Sequence, residues 1–295
     1  MAGNVRYFQI GVIPVALRSS VRRFRKEYER LYAPCRSPVS LPDAVEVDVK
    51  PARRVMGYTS GYEIYLNGRL RFSPANYDEL LPYVEWAVNW ELPTLRPEYL
   101  QIHAASMEYN GIGVIFPGDS GSGKSTLATA LLTRGWRYLC DEFALLHTRS
   151  LELHPFPRAI CMKEAANPIL ERFGLVTHAG ARYLKGSKGF VGFVSPFQVR
   201  PDCIGRVCPV RYVVFPKHVP GATPTLAPIS RAQAAFELHR VCFNLFGCAR
   251  PGIDVLSAVA RGAHCFQLVS GDIEATCSLL EREIDARRSA RVRSA

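Results

Sequence analysis

Gly118-Asp119-Ser120-Gly121-Ser122-Gly123-Lys124-Ser125-Thr126 is the stretch on which the reading of this chain turns. It fits the spacing G-x-x-x-x-G-K-[ST], and its flanks fit as well: an apolar run precedes it at 112–116 and a helical pattern opens at Ser125. Three glycines let the backbone turn tightly and aim amide N–H groups inward. The start of a helix adds partial positive charge at the same point. Lys124 supplies a full charge, and the Ser125 hydroxyl is a hard oxygen donor of the kind magnesium prefers. These residue types at this spacing predict a strand-to-helix turn that cradles the phosphates of a nucleotide.

Downstream, residues 126–134 read as a helix, Gly135 stops it, and 136–140 read as a strand. Strand, helix, strand at this spacing predicts a βαβ unit with parallel strands and a right-handed crossover. Asp141 and Glu142 follow the second strand. Parallel strands end on one edge of a sheet, so Asp141 is expected to emerge beside the loop. One carboxylate there can hold magnesium; the other can accept a proton from an attacking hydroxyl. Asp141, nearest the strand end, is taken as general base, with Glu142 and Ser125 on the metal. The reversed assignment stays open, since P-loop enzymes often hold metal with a strand-end Asp. Upstream, His103 lies in the apolar run 100–107, which Asn110-Gly111 links to 112–116 as a hairpin. A lone His in such a strand is usually a hydrogen-bonded core residue.

The chain has 295 residues, 48% hydrophobic and 21% charged, close to the averages of globular proteins. That excludes collagen-like, low-complexity and wholly disordered readings. The formal net charge of +11 favours acidic partners without choosing among them. No apolar run reaches the roughly 18 residues of a membrane-spanning helix. Residues 10–17 are apolar but contain Pro14 and lead to no small-residue cleavage site, so no signal peptide is expected. Nine cysteines without a C-x-x-C pattern point to buried thiols in a reducing cytoplasm. A helix is predicted over 19–32, with Val21, Phe24, Tyr28, Leu31 and Tyr32 on one face. Its basic opposite face is either solvated or a docking surface for an acidic partner. Asn67-Gly68 signals a hairpin, 78–90 a helix, and Pro93 and Pro97 a linker with a boundary near 95. A strand at 210–215, helices at 231–246 and 272–285, and a frayed basic tail complete the pattern.

His103, the loop 118–126, Arg134-Gly135-Trp136-Arg137 and Asp141-Glu142 together resemble the catalytic core of the bacterial HPr kinase/phosphorylase superfamily. In that family a histidine precedes the P-loop, and an acidic pair follows a short Arg-Gly-x-Arg strand. Further stretches are Glu85-Trp86-Ala87-Val88-Asn89-Trp90, His103-Ala104-Ala105, Pro157-Arg158-Ala159-Ile160-Cys161-Met162-Lys163, Lys188-Gly189 and Val213-Val214-Phe215-Pro216. These are similar to HPr kinase-related kinases of the A type, which include kinase-like tailoring enzymes of peptide natural-product clusters. The resemblance implies an α/β fold: a P-loop-bearing mixed sheet of the HPr kinase/PEP carboxykinase type. A small N-terminal α+β region would span 1–95, the catalytic domain 96–286 and a basic tail 287–295. It implies ATP and Mg2+, and a serine or threonine hydroxyl of a protein or peptide as acceptor. It adds His103 to the catalytic set with Asp141 and Lys124. It adds Arg158, Lys163 and Lys188 to the nucleotide contacts Gly118, Asp119, Ser120, Gly121, Ser122, Gly123, Lys124, Ser125 and Thr126, as clamp or lid. Related enzymes are oligomers, so a homo-oligomer is a further expectation.

The chain departs from the family in three ways. The family's second signature, an apolar-flanked Glu followed by Arg-Gly, is absent between Cys161 and Lys217; the acidic pair is Asp-Glu; and the N-terminal region differs. What carries over is ATP-dependent phosphorylation of a hydroxyl. The rival functions are a small-molecule kinase and a P-loop ATPase or nucleic-acid-binding module. No nucleic-acid-binding motif accompanies the basic residues.

Overall fold

In the computed structural model, which describes residues 5–52, 54–55, 58–177, 182–186, 189–248 and 250–293, the chain opens on an antiparallel pair, β1 (Arg6–Ile10) and β2 (Ile13–Ser19). Helix α1 (Arg22–Leu31) follows, then β3 (Arg36–Ser37), β4 (Val45–Pro51), β5 (Arg54–Val55), β6 (Tyr58–Thr59), β7 (Tyr62–Leu66), β8 (Arg69–Phe72) and α2 (Leu80–Leu95). Next come β9 (Tyr99–Tyr109), β10 (Ile112–Pro117), α3 (Lys124–Thr133), β11 (Arg137–Cys140), β12 (Phe143–His147) and β13 (Glu152–His154). After β14 (Ile160–Lys163) the chain runs through α4 (Asn167–Arg172), β15 (Tyr183–Leu184), β16 (Phe190–Val194) and α5 (Pro196–Val199). It closes on β17 (Cys208–His218), β18 (Thr225–Pro228), α6 (Arg231–Arg240), α7 (Gly252–Gly262), β19 (His264–Ser270) and α8 (Ile273–Arg293).

The chain divides into two compact units. The first joins Met1–Pro97 to Phe156–Pro201; the second joins Glu98–Pro155 to Asp202–Ala295. The chain passes from the first unit to the second between Pro97 and Glu98, and residues 156–201 fold with the N-terminal region.

In the first unit the sheet order is β3-β1-β2-β4-β7-β8. Strand β4 turns Val45, Val47 and Val49 into the core and Glu46 outward, the period-2 pattern of a half-buried strand. β2 and β4 run parallel, so β2-α1-β4 is a crossover unit that the sequence reading did not anticipate. Helix α1 buries Phe24, Tyr28 and Leu31, as its spacing predicts, and exposes Arg22, Lys26 and Arg30. Pro93, read as part of a linker, lies inside α2 instead. A proline in a last helical turn supplies no N–H of its own, and the helix still closes with Arg96 N–H donating to the Leu92 carbonyl at 2.8 Å.

A buried polar cluster ties residues 156–201 to this unit. The Arg158 guanidinium donates to Glu85 through Nε at 2.9 Å and to Asn89 through Nη1 at 2.6 Å. Tyr32 donates its hydroxyl proton to Glu85 at 2.8 Å and accepts from Ala159 N–H at 3.2 Å. Arg158 and Glu85 are each almost wholly buried, so neither charge is tolerable without the other.

The second unit is built on an eight-stranded mixed sheet. Its path is β10-β9-β12-β13-β17-β19-β18, with β11 on β9 and a further parallel pairing of β10 with β17. β10 and β11 were read as a simple βαβ pair. They do run in one direction, yet they do not touch: the long β9 lies between them, antiparallel to both. The reason lies in the Asn110-Gly111 turn, where both residues have positive φ, 53° and 83°, and fold β10 straight back onto β9. Helices α6 and α7 pack their apolar faces into the core with Leu100, Ile102 and Val213. Helix α3 packs against β9 and α8. Arg134-Gly135-Trp136 anchors that layer. Gly135 takes φ 99°, Trp136 is buried against Tyr109 at 4.5 Å and its Nε1 donates to Glu281 of α8 at 3.3 Å.

Two helix readings are corrected here. The helix expected over 231–246 stops at Arg240, because the next residues leave it to hydrogen-bond along β9. The tail expected to fray is helical to Arg293, with Arg287 paired to Glu283 one turn back; residues 294 and 295 lie outside the described residues. All nine cysteines are free thiols. Burial pushes Cys208 and Cys277 up to about 12, which keeps them protonated and unreactive. Among the described residues no helix is long and apolar enough to cross a membrane.

Candidate functional site

Strand β10 delivers the chain to the loop at 118–123, and α3 begins at Lys124, so the loop is a strand-to-helix turn. Gly121 and Gly123 have φ of 96° and 92°, in the left-handed region that favours glycine. Gly118 N–H donates to the His103 carbonyl at 3.3 Å, which fixes the start of the loop to β9. Ser122 N–H donates to the Asp119 carbonyl at 3.3 Å, and Leu127 N–H to the Gly123 carbonyl at 2.9 Å starts the helix.

Lys124 is buried, and its ammonium folds back over the loop. It donates to the carbonyls of Gly118 at 2.6 Å and Asp119 at 2.7 Å. The charge is thereby held at the start of the loop. Ser125, in the first turn of α3, donates its hydroxyl proton to Asp141 Oδ2 at 3.1 Å. Asp141 is buried just past β11, and its other oxygen accepts from the Tyr138 hydroxyl at 3.0 Å. The register explains this meeting. Ile115 of β10 and Cys140 of β11 both pair with Ser106 of β9, and β10 runs only two residues further, so the two strands end within two residues of each other. The expected proximity of Asp141 to the loop is realised although the strands are not neighbours. Glu142 follows, half-buried.

His103 sits on β9 opposite Phe143 and is half-buried, with its ring 5.8 Å from that of Phe243. Its described contact with the loop is through the backbone carbonyl. Three further expected residues, Arg158, Lys163 and Lys188, lie outside the second unit's described residues. Arg158 lies in the first unit, each of its three nitrogens donating to Glu85 or Asn89. Lys163 ends β14 in the first unit and is exposed. Lys188 lies outside the described residues.

The sequence reading missed two residues beside the loop. Tyr138 reads in the sequence only as part of a strand, and its hydroxyl donates to Asp141 at 3.0 Å. His218 ends β17, and its Cβ lies 3.4 Å from where a Cβ on Gly123 would sit. Carrying the strand read at 210–215 three residues further, parallel to β10, would have brought it to the loop. Ser125 and Asp141 offer two hard oxygens within hydrogen-bond reach, a donor set that suits magnesium when substrate phosphates and water complete it. No group of three or more His, Cys, Asp or Glu stands together as a metal site among the described residues.

No family model matches the chain. Over 76 residues, 26% of its length, it is 40% identical to the HPr kinase/phosphorylase of Xanthomonas campestris pv. campestris (strain B100). Part of this chain is similar to HPr kinase/phosphorylase. The identity is again 40% with the HPr kinase/phosphorylase of Stenotrophomonas maltophilia (strain K279a), over 73 residues. The match spans 23% and 22% of those two relatives, less than a quarter of their length. Among solved structures, the Hpr(Ser) kinase/phosphatase from Coxiella burnetii aligns with 64% of this chain and 97% of its own, with a TM-score of 0.31 and 14% identity.

Proposed function

We propose that the chain is an ATP-dependent kinase of the HPr kinase-like type, which transfers the γ-phosphoryl group to a serine or threonine hydroxyl of a protein or peptide. The observation that carries this reading is the junction in the second unit. A glycine-rich strand-to-helix turn, a buried Lys124 and the Ser125–Asp141 contact at 3.1 Å meet at one sheet edge. Phosphoryl transfer needs mostly positioning and positive charge, and these residues supply both. The proposal rests on that unit's residues alone.

In this reading the loop's backbone N–H groups hold the phosphates, and Lys124 exchanges its contacts with the Gly118 and Asp119 carbonyls for the terminal phosphate oxygens. Ser125 and Asp141 would hold magnesium, which would supply neutralisation of phosphate charge. The acceptor oxygen forms its bond to phosphorus as the bond to the leaving ADP oxygen breaks, and the acceptor proton passes to a carboxylate. Both Asp141 oxygens already accept hydrogen bonds, from Ser125 and Tyr138. This favours the reversed assignment, with Asp141 as metal ligand and Glu142 as base. A natural-product precursor peptide is one acceptor of the proposed class.

The test is transfer of labelled phosphate from ATP to serine-containing peptides, with Lys124→Ala as the critical variant. Its transfer rate is expected to fall at least about 10²-fold, the usual cost of removing a charge aimed at the transition state. An undiminished rate at saturating ATP and magnesium would remove the loop from the mechanism. ATP turnover without any acceptor would favour an ATPase, and transfer to small alcohols alone a small-molecule kinase.

A further inference from the structure

Residues 241–244 form an extra edge along the first half of β9. His103 N–H donates to the Val241 carbonyl at 2.7 Å, Ile102 and Cys242 make an antiparallel bridge, and Phe243 N–H donates to the Gln101 carbonyl at 2.9 Å. Buried Asn244 locks the segment: its Oδ1 accepts from Gln101 N–H at 2.8 Å and its Nδ2 donates to the Tyr99 carbonyl at 2.8 Å. A segment this firmly pinned would normally turn its one large apolar side chain inward. Phe243 instead leaves 62% of its surface exposed. Its ring stands edge-on to Phe143 at 5.1 Å and to His103 at 5.8 Å, so three rings make a small shelf.

The shelf adjoins the loop at a definite end. His103 holds Gly118 through its carbonyl, and Phe143 is two residues beyond Asp141. The Lys124 ammonium, which reaches the β- and γ-phosphates in loops of this kind, lies on the carbonyls of Gly118 and Asp119. The terminal-phosphate end of a bound nucleotide is therefore at the start of the loop, on the shelf's side. The acceptor hydroxyl must approach that end. The base, at the other end of the nucleotide, lies further from the shelf.

We infer that Phe243, backed by Phe143 and His103, receives the side chain next to the acceptor hydroxyl, and that this side chain is apolar or aromatic. The inference rests on the kinase reading above. Size supports a single side chain as occupant. An exposed aromatic ring offers on the order of 100–200 Å². Even with the 96%-exposed Phe246 added, the area falls well short of the roughly 800 Å² per partner that a stable protein interface needs.

The probe is a positional-scanning library of octapeptides with one central serine, presented with labelled ATP and magnesium. Wild-type protein is expected to prefer Leu, Phe, Tyr or Trp beside the serine over Gly or Ala by about tenfold or more, the scale of apolar-pocket discrimination. Phe243→Ala is expected to lose that preference with KM for ATP unchanged, and Phe243→Leu to keep most of it. An unchanged preference in Phe243→Ala, or a wild-type preference for charged neighbours, overturns the inference and leaves the kinase reading standing. A raised KM for ATP in Phe243→Ala reassigns the shelf to the base and also overturns it. No phosphorylation of any peptide by wild-type protein that binds ATP overturns the peptide-kinase reading, and the inference with it.

Discussion

Asp141 and Glu142 are chemically alike and adjacent, and their surroundings separate them. Asp141 is buried with a hydrogen bond on each oxygen, one of them from Ser125 of the loop. Glu142 keeps part of its surface in solvent. Substituting Asp141 by Asn is therefore expected to raise the magnesium concentration needed for half-maximal transfer, with excess magnesium restoring much of the rate. Glu142→Gln removes a proton acceptor instead. Its single-turnover transfer should fall by about 10²–10⁴, with little change in magnesium requirement. Magnesium titrations of both variants check this; rescue of Glu142→Gln but not of Asp141→Asn by the metal would restore the opposite assignment. Lys124 and Ser125 stand out in the sequence because the motif fixes them, and Asp141 because it follows the next strand, within 24 residues of Gly118. Tyr138 does not, because a strand buried along most of its length gives no sign that one hydroxyl turns toward a carboxylate.

At the scale of elements, α2 and the segment after Pro155 are joined by one buried ion pair. Glu85 and Asn89 are four apart on α2, so both face the same way and meet Arg158 together. This gives the stretch from Glu85 to Asn89 and the stretch around Arg158 a common structural cause. Arg158→Ala would leave Glu85 buried without a counter-charge and is expected to destabilise the protein by about 3–5 kcal/mol. Arg158→Lys should recover little, since one ammonium cannot reproduce the forked contacts to a carboxylate and an amide. The midpoint of urea unfolding measures both; a loss under about 1 kcal/mol for Arg158→Ala would mean that the pair contributes no net stability. Element positions such as 112–117, 124–133 and 137–140 follow closely from periodicity and capping glycines. The end of α6 at Arg240 does not, because what ends it is Asn244 reaching to β9 more than a hundred residues earlier in the chain.

The whole molecule interleaves its two units, and each passage between them falls at a proline: Pro97, Pro155 and Pro201. A fragment comprising residues 96–295 keeps every residue of the motif yet leaves residues 156–201 without the rest of their unit, including Glu85 and Asn89, the partners of buried Arg158. It is expected to aggregate or to lack a cooperative thermal transition. β13 and β17 are antiparallel neighbours, with Leu153 opposite Cys208, so the chain ends left by removing 156–201 are close. The same fragment with a short linker in place of 156–201 is expected to regain a cooperative transition. Circular dichroism melts of the two fragments decide it, and a stable first fragment would show that the division is not energetic.

The sequence by itself determined what short-range physics controls. It placed the glycine-rich turn between strand and helix, the two Asn-Gly hairpins, the amphipathic face of α1 and the carboxylate past β11, because glycine φ, turn chemistry and periodicity act within a few residues. It did not determine that β9 separates β10 from β11, that β2 and β4 pair in parallel, that Arg158 belongs with Glu85, or that residues 156–201 fold with the N-terminal region. Those outcomes depend on which distant groups meet. A buried charge, a free strand edge and an amide side chain each have many possible partners along the chain, and only closure of the tertiary structure selects one.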